Sequence, residues 1–209
     1  ESNAVYHFSG VSAAENDGRS LAVAMRKSFD SGFSWTKPRF ISSDFNHRGQ
    51  VICSTIKTTD GKILVFCDDI KDGGTAVYIS DNGNTWFDPG INKAVPEFEE
   101  GKTGAWIAGI HASIVELENG KLLAAGRGNN IKGKMPFSVS IDGGFTWKYS
   151  SSEFPPVSGG QRLTMIRLQE GPILLVSFTD RRDLPRKEMK GLVGYDANGN
   201  KIKITGLFA

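Results

Sequence analysis

The sequence lacks what would mark a helical, membrane-spanning or disulfide-built protein. No apolar stripe of 3.6-residue period runs for a useful length. No apolar run approaches the roughly 20 residues of a bilayer span; the longest, "PILLVSF" at 172–178, is strand-sized. With only two cysteines, Cys53 and Cys67, there is no disulfide framework. Cross-strand partners in one hairpin rarely meet disulfide geometry, so both are expected to be small buried hydrophobes in neighbouring strands. The three histidines are dispersed, without His-x-x-x-His or Cys-x-x-Cys spacing, so no metal and no cofactor are expected. "DANGN" at 196–200 resembles the start of a calcium loop but lacks its later Glu and reads as a turn. A net charge of +2, with no basic stripe, argues against nucleic acid as a partner. The chain opens at Glu1 with neither initiator Met nor secretion signal, as expected of a processed product or a piece of a longer protein.

What is present is glycine, 25 residues of it, among short apolar runs. Tight turns between short strands predict an all-β chain. One turn recurs: "SFDSGFSW" at 28–35, "ISDNGNTW" at 79–86 and "SIDGGFTW" at 140–147. The intervals suit a propeller blade. The segment before each turn repeats too. "VICSTIKTTDGKILVFCDD" reads strand, Asp-Gly hairpin, strand, with "GTAVYIS" as a third strand; the recurrent turn then leads into a fourth. "HASIVEL", "ENGK", "KLLAAGR" and "PFSVS" copy the pattern, followed by the turn and "WKYS". A fourth unit starts with "QRLTMIRLQEGPILLVSFTD" and takes "GLFA" as its third strand, after an extra hairpin in "GLVGYDANGNKIKITG". The first unit shows "RSLAVAMRKS", the turn and "KPRFIS".

Within the turn, the Asp carboxylate can accept backbone N–H groups, Gly permits positive φ, and Ser or Thr adds a hydroxyl. The Trp starts the next strand and buries a large surface between sheets. These roles are structural: Asp30, Gly32 and Trp35; Asp81, Gly83 and Trp86; Asp142, Gly144 and Trp147. "SIDGGFTW" fits the S-x-D-x-G-x-T-W pattern of the Asp-box, or bacterial neuraminidase repeat; the other two depart at Ser34 and at Ile79. The chain therefore resembles the sialidase-like β-propellers, and "GAWIAGIHASIVELENGKLLAAGRGNN" together with "MPFSVSIDGGFTW" resembles secreted bacterial exo-α-sialidases. The resemblance implies four-stranded antiparallel blades, six in a complete ring, and a secreted or periplasmic location. The chain then forms one propeller domain over 1–209: a partial blade at 1–43, blades at 44–101 and 102–157, and a partial blade at 158–209. A propeller closes to protect its edges, so the remaining blades are expected in further residues or a companion chain.

In that architecture the boxes and the first-to-second strand turns share one face, and sites sit on the other. The loops of that other face carry Arg48, Trp106, Arg127, Gln161, Arg162 and Arg181 as candidate substrate-binding residues, and Asp68, His111 and Asp180 as candidate catalytic ones. Arginines offer planar, bidentate donors to a carboxylate; Trp106 offers a sugar-stacking platform. An acidic sugar is the expected partner, and a sialidase-like glycoside hydrolase the leading reading. The sialidase pattern, as the resemblance implies it, also uses an Arg-Ile-Pro-type motif in the first blade and a loop Tyr paired with Glu, and neither is found. A uronate-polysaccharide lyase, using His47 or His111 as base, and a non-catalytic glycan-binding propeller are the alternatives.

Overall fold

A computed structural model describes residues 3–12, 21–42, 54–69, 73–157 and 161–178, and the backbone of three short strands beyond them. Among the described residues there is strand and turn but no helix, and so no helix long and apolar enough to cross a membrane. The first sheet contains β1 (Val5–Ser12), β2 (Leu21–Ser28) and β3 (Arg39–Ser42) in that order. The second contains β4 (Thr55–Lys57), β5 (Ile63–Asp68) and β6 (Thr75–Ser80). The third is β7 (Thr103–Gly104), β8 (Ile110–Glu116), β9 (Leu122–Arg127), β10 (Pro136–Ser140) and β11 (Trp147–Ser151), ordered β7-β11-β10-β9-β8. The fourth pairs β12 (Thr164–Arg167) with β13 (Ile173–Phe178). The expected extra hairpin is β14 (Val193–Tyr195) with β15 (Lys201–Lys203), and β16 (Leu207–Phe208) returns to β13 as the expected third strand. All pairings are antiparallel, and apart from β7 with β11 and β13 with β16 they join consecutive strands, the blade pattern of a β-propeller.

The blades are joined by apolar cores. Val23, Val65, Cys67, Ala76, Tyr78 and Trp106 fill the space between the first and second, with Phe8, Ile41 and Trp86 against them. Leu64, Phe66, Val77 and Ile79 meet Ile107, Ile114, Leu122, Trp147 and Tyr149 between the second and third. Val115, Ala125, Met135, Leu163 and Met165 join the third to the fourth. Cys67 is fully buried in the core between the first and second blades, as expected; Cys53 lies outside the described residues. Polar ties cross each junction. Ser113 Oγ accepts the Met165 N–H at 2.8 Å, and Glu116 accepts both the N–H and the hydroxyl of Thr59 at 2.8 Å.

The first and third boxes close in the same way. Ser28 and Ser140 hydroxyls donate to Asp30 and Asp142, and accept Gly32 N–H and Gly144 N–H. Each carboxylate takes the N–H and the hydroxyl of the residue four positions on, Ser34 or Thr146. The indole N–H of Trp35 or Trp147 donates to the carbonyl of Gly32 or Gly144. Gly144 sits at φ +97°, and a Cβ there would come within 2.8 Å of the Leu64 side chain, so conformation and space both require glycine. Trp147 is fully buried, whereas Trp35 keeps 41% of its surface exposed.

The second box corrects the sequence register. Asp81 does not close it. Ser80 Oγ takes the Gly83 N–H at 2.9 Å, and Asn82 Oδ1 takes the N–H groups of Asn84 and Thr85 at 2.7 and 2.9 Å. The working box is thus "SDNGNTW", one residue shorter, with Asn82 in the place of the Asp and Asp81 exposed beside it. Trp86 Nε1 has no hydrogen-bond partner among the described residues, unlike its two counterparts. The fourth strand expected after this box shrinks to one bridge, Ile79 with Phe87. The chain then turns at Asp88, whose carboxylate accepts the Gly90 N–H, around Pro89, which cannot donate to a ladder. A further difference is β7: part of the expected loop into the third unit instead pairs with β11 as an outermost strand.

Asn82→Ala is expected to lower unfolding free energy by roughly 1–2 kcal/mol, while Asp81→Ala leaves the urea midpoint where it was; the reverse order would restore the longer box. The boxes also predict an acid limb. Ser34 and Ser28 hold the Asp30 carboxyl down to about 2, from an ordinary value of 3.8. Burial works to raise Asp142, but hydrogen bonds from Thr146 and Ser140 prevail and leave it lowered. A carboxyl depressed by folding stabilises the fold above its unfolded value and stops doing so as pH falls through the folded one. Urea midpoints should therefore fall between about pH 4 and pH 2, and Asp30→Asn should flatten that slope.

Candidate functional site

The direction of each strand decides which face its ends reach. The turn at 58–62, which starts β5, lies against the third box: a Cβ on Gly143 would touch the Lys62 side chain. Boxes and first turns therefore share one face. β5 runs away from it and ends at Asp68; β8 begins at the opposite end, next to His111; Arg162 precedes β12 on that same side. Meander topology thus brings Asp68, His111 and Arg162 to the face away from the boxes.

The start of β8 is irregular. The β8–β9 register shifts between Ile110 and Ser113, and His111 lies within that bulge at φ +52°. A non-glycine residue in the left-handed region costs about 1–3 kcal/mol and persists where its surroundings impose it. Here the surroundings come from the neighbouring blade. Asp68 Oδ1 accepts the His111 backbone N–H at 2.7 Å. Asp68 Oδ2 lies 2.6 Å from His111 Nδ1, a short contact off the ideal hydrogen-bond line. The buried hydroxyl of Thr75 donates to the Gly109 carbonyl at 2.9 Å and accepts the Ala112 N–H at 3.4 Å. The Thr75 and Ile107 backbones exchange two hydrogen bonds, at 3.0 and 2.8 Å. On the other side, Gly126 is packed so closely that a Cβ would stand 2.2 Å from the Ala108 carbonyl.

His111 opens onto a pocket of about 240 Å3 between the third and fourth blades, lined also by Ser54, Ser113, Arg162 and Thr164. Arg162 is exposed there. Arg127 is half-buried, and its Nη1 donates to the Gln161 carbonyl at 3.0 Å, tying down the residue before Arg162. Structure therefore brings together Asp68, His111 and Arg162, with Arg127 and Gln161 behind them. Trp106 does not join them. Only 3% exposed, it is packed between the first and second blades, and its carbonyl accepts the Tyr149 hydroxyl at 2.8 Å. The expected stacking platform is a core residue, because the chain that carries it is pinned to β6 through Ile107. Arg48, Asp180, Arg181 and His47 lie outside the described residues. Among the described residues no group of three or more His, Cys, Asp and Glu could hold a metal ion. Thr75, Ser54 and Thr164 were not foreseen; a Thr at a strand end carries no local signal of a cross-blade contact.

Antiparallel blades with boxes on one face and a polar pocket on the other have the fold of the sialidase-like β-propellers. The chain belongs to the BNR repeat-like domain family, whose model matches residues 2–197. No curated protein sequence matches it. Among solved structures, it is similar to a protein of unknown function from Dyadobacter fermentans: TM-score 0.56, 16% identity, 87% of this chain and 54% of that one. It is also similar to the NanB sialidase of Streptococcus pneumoniae: TM-score 0.57, 22% identity, 78% of this chain and 24% of that one. The intramolecular trans-sialidase of Ruminococcus gnavus gives TM-score 0.54 and 18% identity over 77% of this chain and 34% of that one. At these identities the likeness is one of fold, and the chain spans about half or less of each neighbour.

Gly126→Ala should displace the 108–111 segment and cost about 1–3 kcal/mol through overpacking, read as a lowered urea midpoint. An unchanged midpoint would mean that the two backbones are not in contact.

Proposed function

We propose that the chain forms part of a sialidase-like glycoside hydrolase that acts on the acidic terminal sugar of a glycan. The observation that carries this reading is the pocket lined by Arg162 and His111, with Asp68 buried against His111, on the face away from the boxes. Arg162 supplies a fixed cation whose planar fork suits a carboxylate. Arg127 keeps its neighbour Gln161 in place. His111, set beside it, adds a polar ring for a sugar hydroxyl. At about 240 Å3 the pocket is smaller than the ~300–1,000 Å3 usual for drug-sized ligands, which suits one chain end rather than a long polymer. Solved neighbours of the fold that act on sialosides support the substrate class. In this reading the protein is secreted or periplasmic. The blades that complete the ring lie in further residues or a companion chain, and the reaction's remaining groups lie with them.

The intact protein should release fluorophore from a fluorogenic α-sialoside, and Arg162→Ala should weaken apparent substrate affinity by about ten- to hundredfold. No release together with no retention on sialylated glycan would overturn the reading. Ultraviolet-absorbing unsaturated products from a uronate polymer would assign a lyase instead, and retention without turnover a binding propeller.

A further inference from the structure

Asp68 entered the sequence reading as a candidate catalytic carboxylate, but its surroundings give it another task. It is 1% exposed at the end of β5, and each of its oxygens has a contact to one residue of the next blade. Oδ1 takes the His111 backbone N–H, and Oδ2 stands 2.6 Å from Nδ1 of the same residue. Both Oδ2 and Nδ1 are buried. A ring nitrogen lone pair facing an ionised carboxylate oxygen at that distance would be repulsive, which favours the neutral ring with its proton on Nδ1 over the one with its proton on Nε2. Thr75 completes the arrangement. Its hydroxyl is within 3.4 Å of Asp68 Oδ1 and holds the Gly109 carbonyl and the Ala112 N–H, one on each side of the bulge.

We propose that Asp68 and Thr75 are positioning residues that fix His111 in its left-handed bulge as the Nδ1–H tautomer, so that Nε2 offers an acceptor lone pair to the pocket. This deepens the reading of the pocket as an acidic-sugar site and rests on it for the ligand: the carboxylate pairs with Arg162, and a hydroxyl of the same sugar donates to His111 Nε2. The buried carboxylate fixes both the backbone turn and the ring of the residue it serves. A single neighbouring blade thereby sets the orientation of a group on the next.

The test is long-range proton–nitrogen NMR of the imidazoles in the intact protein at pH 8, with the His111 signals assigned by their loss in His111→Gln. The wild type should show His111 as Nδ1–H. Asp68→Asn and Thr75→Val should shift it towards Nε2–H or a mixture, and Thr75→Ser, which keeps the hydroxyl, should restore the wild-type pattern. Far-ultraviolet circular dichroism identifies any variant that fails to fold. In that case the wild-type spectrum still decides, because Nε2–H or a mixed tautomer there overturns the proposal. Binding is read separately, by titration with N-acetylneuraminic acid and with glucuronic acid. A fixed Nδ1–H tautomer without binding of either supports the positioning roles and overturns the acidic-sugar reading, so the two failures are distinct.

Discussion

Thr75 is where blade packing becomes site geometry. Its backbone pairs with Ile107, which draws the segment entering the third blade against the end of β6. Its hydroxyl then reaches the Gly109 carbonyl and the Ala112 N–H, on either side of His111. Because the residue is fully buried, none of these bonds competes with water, and each would leave an unmet group if broken. The strained bulge at His111 is therefore maintained from the adjacent blade. In a propeller, neighbouring blades meet at every interface, and this one joins a packed core to the backbone bulge that carries His111.

The boxes act at the opposite end of the blades and for a different purpose. The first and third close with the same set of hydrogen bonds, yet Trp147 is buried between blades while Trp35 remains partly exposed. The hydrogen-bonded turn is thus local, and packing around the Trp is supplied by the neighbours. The second box shows how far the turn tolerates change. An amide replaces the carboxylate, one residue is lost, and the indole N–H no longer reaches the glycine carbonyl. The strand that follows is reduced to a single bridge at Phe87.

Much of this was legible in the chain. The Asp-Gly and Asn-Gly hairpins, alternation of apolar residues and recurrence of the boxes placed the extra hairpin, the third strand of the last unit and the four sheets except for β1, which pairs with β2 ahead of the first expected strand. The resemblance put candidate site residues on the face away from the boxes, and two of them, His111 and Arg162, line one pocket. What failed was register and depth. Aligning the second box on its Trp put Asp81 where Asn82 works, because a pattern of fixed length cannot show a deletion. Trp106 read as a surface platform, since nothing near it in sequence reports the bridge from Ile107 to Thr75 that carries it inward. Asp68 read as a candidate catalytic carboxylate, and its contact with His111 became visible only once β5 and β8 were adjacent. Contacts between blades join residues tens of positions apart, and no local period encodes them.

The central claim is that acidic sugar is held on the face away from the boxes, with its carboxylate on Arg162 and its ring against His111. The most direct measurement is a crystal structure of the intact protein with a sialic acid or uronic acid bound. The account predicts that the sugar carboxylate lies on the Arg162 guanidinium, with a hydroxyl at His111 Nε2 and the Asp68 contact retained. A sugar bound on the box face, or one in this pocket with its carboxylate turned away from Arg162, would contradict it.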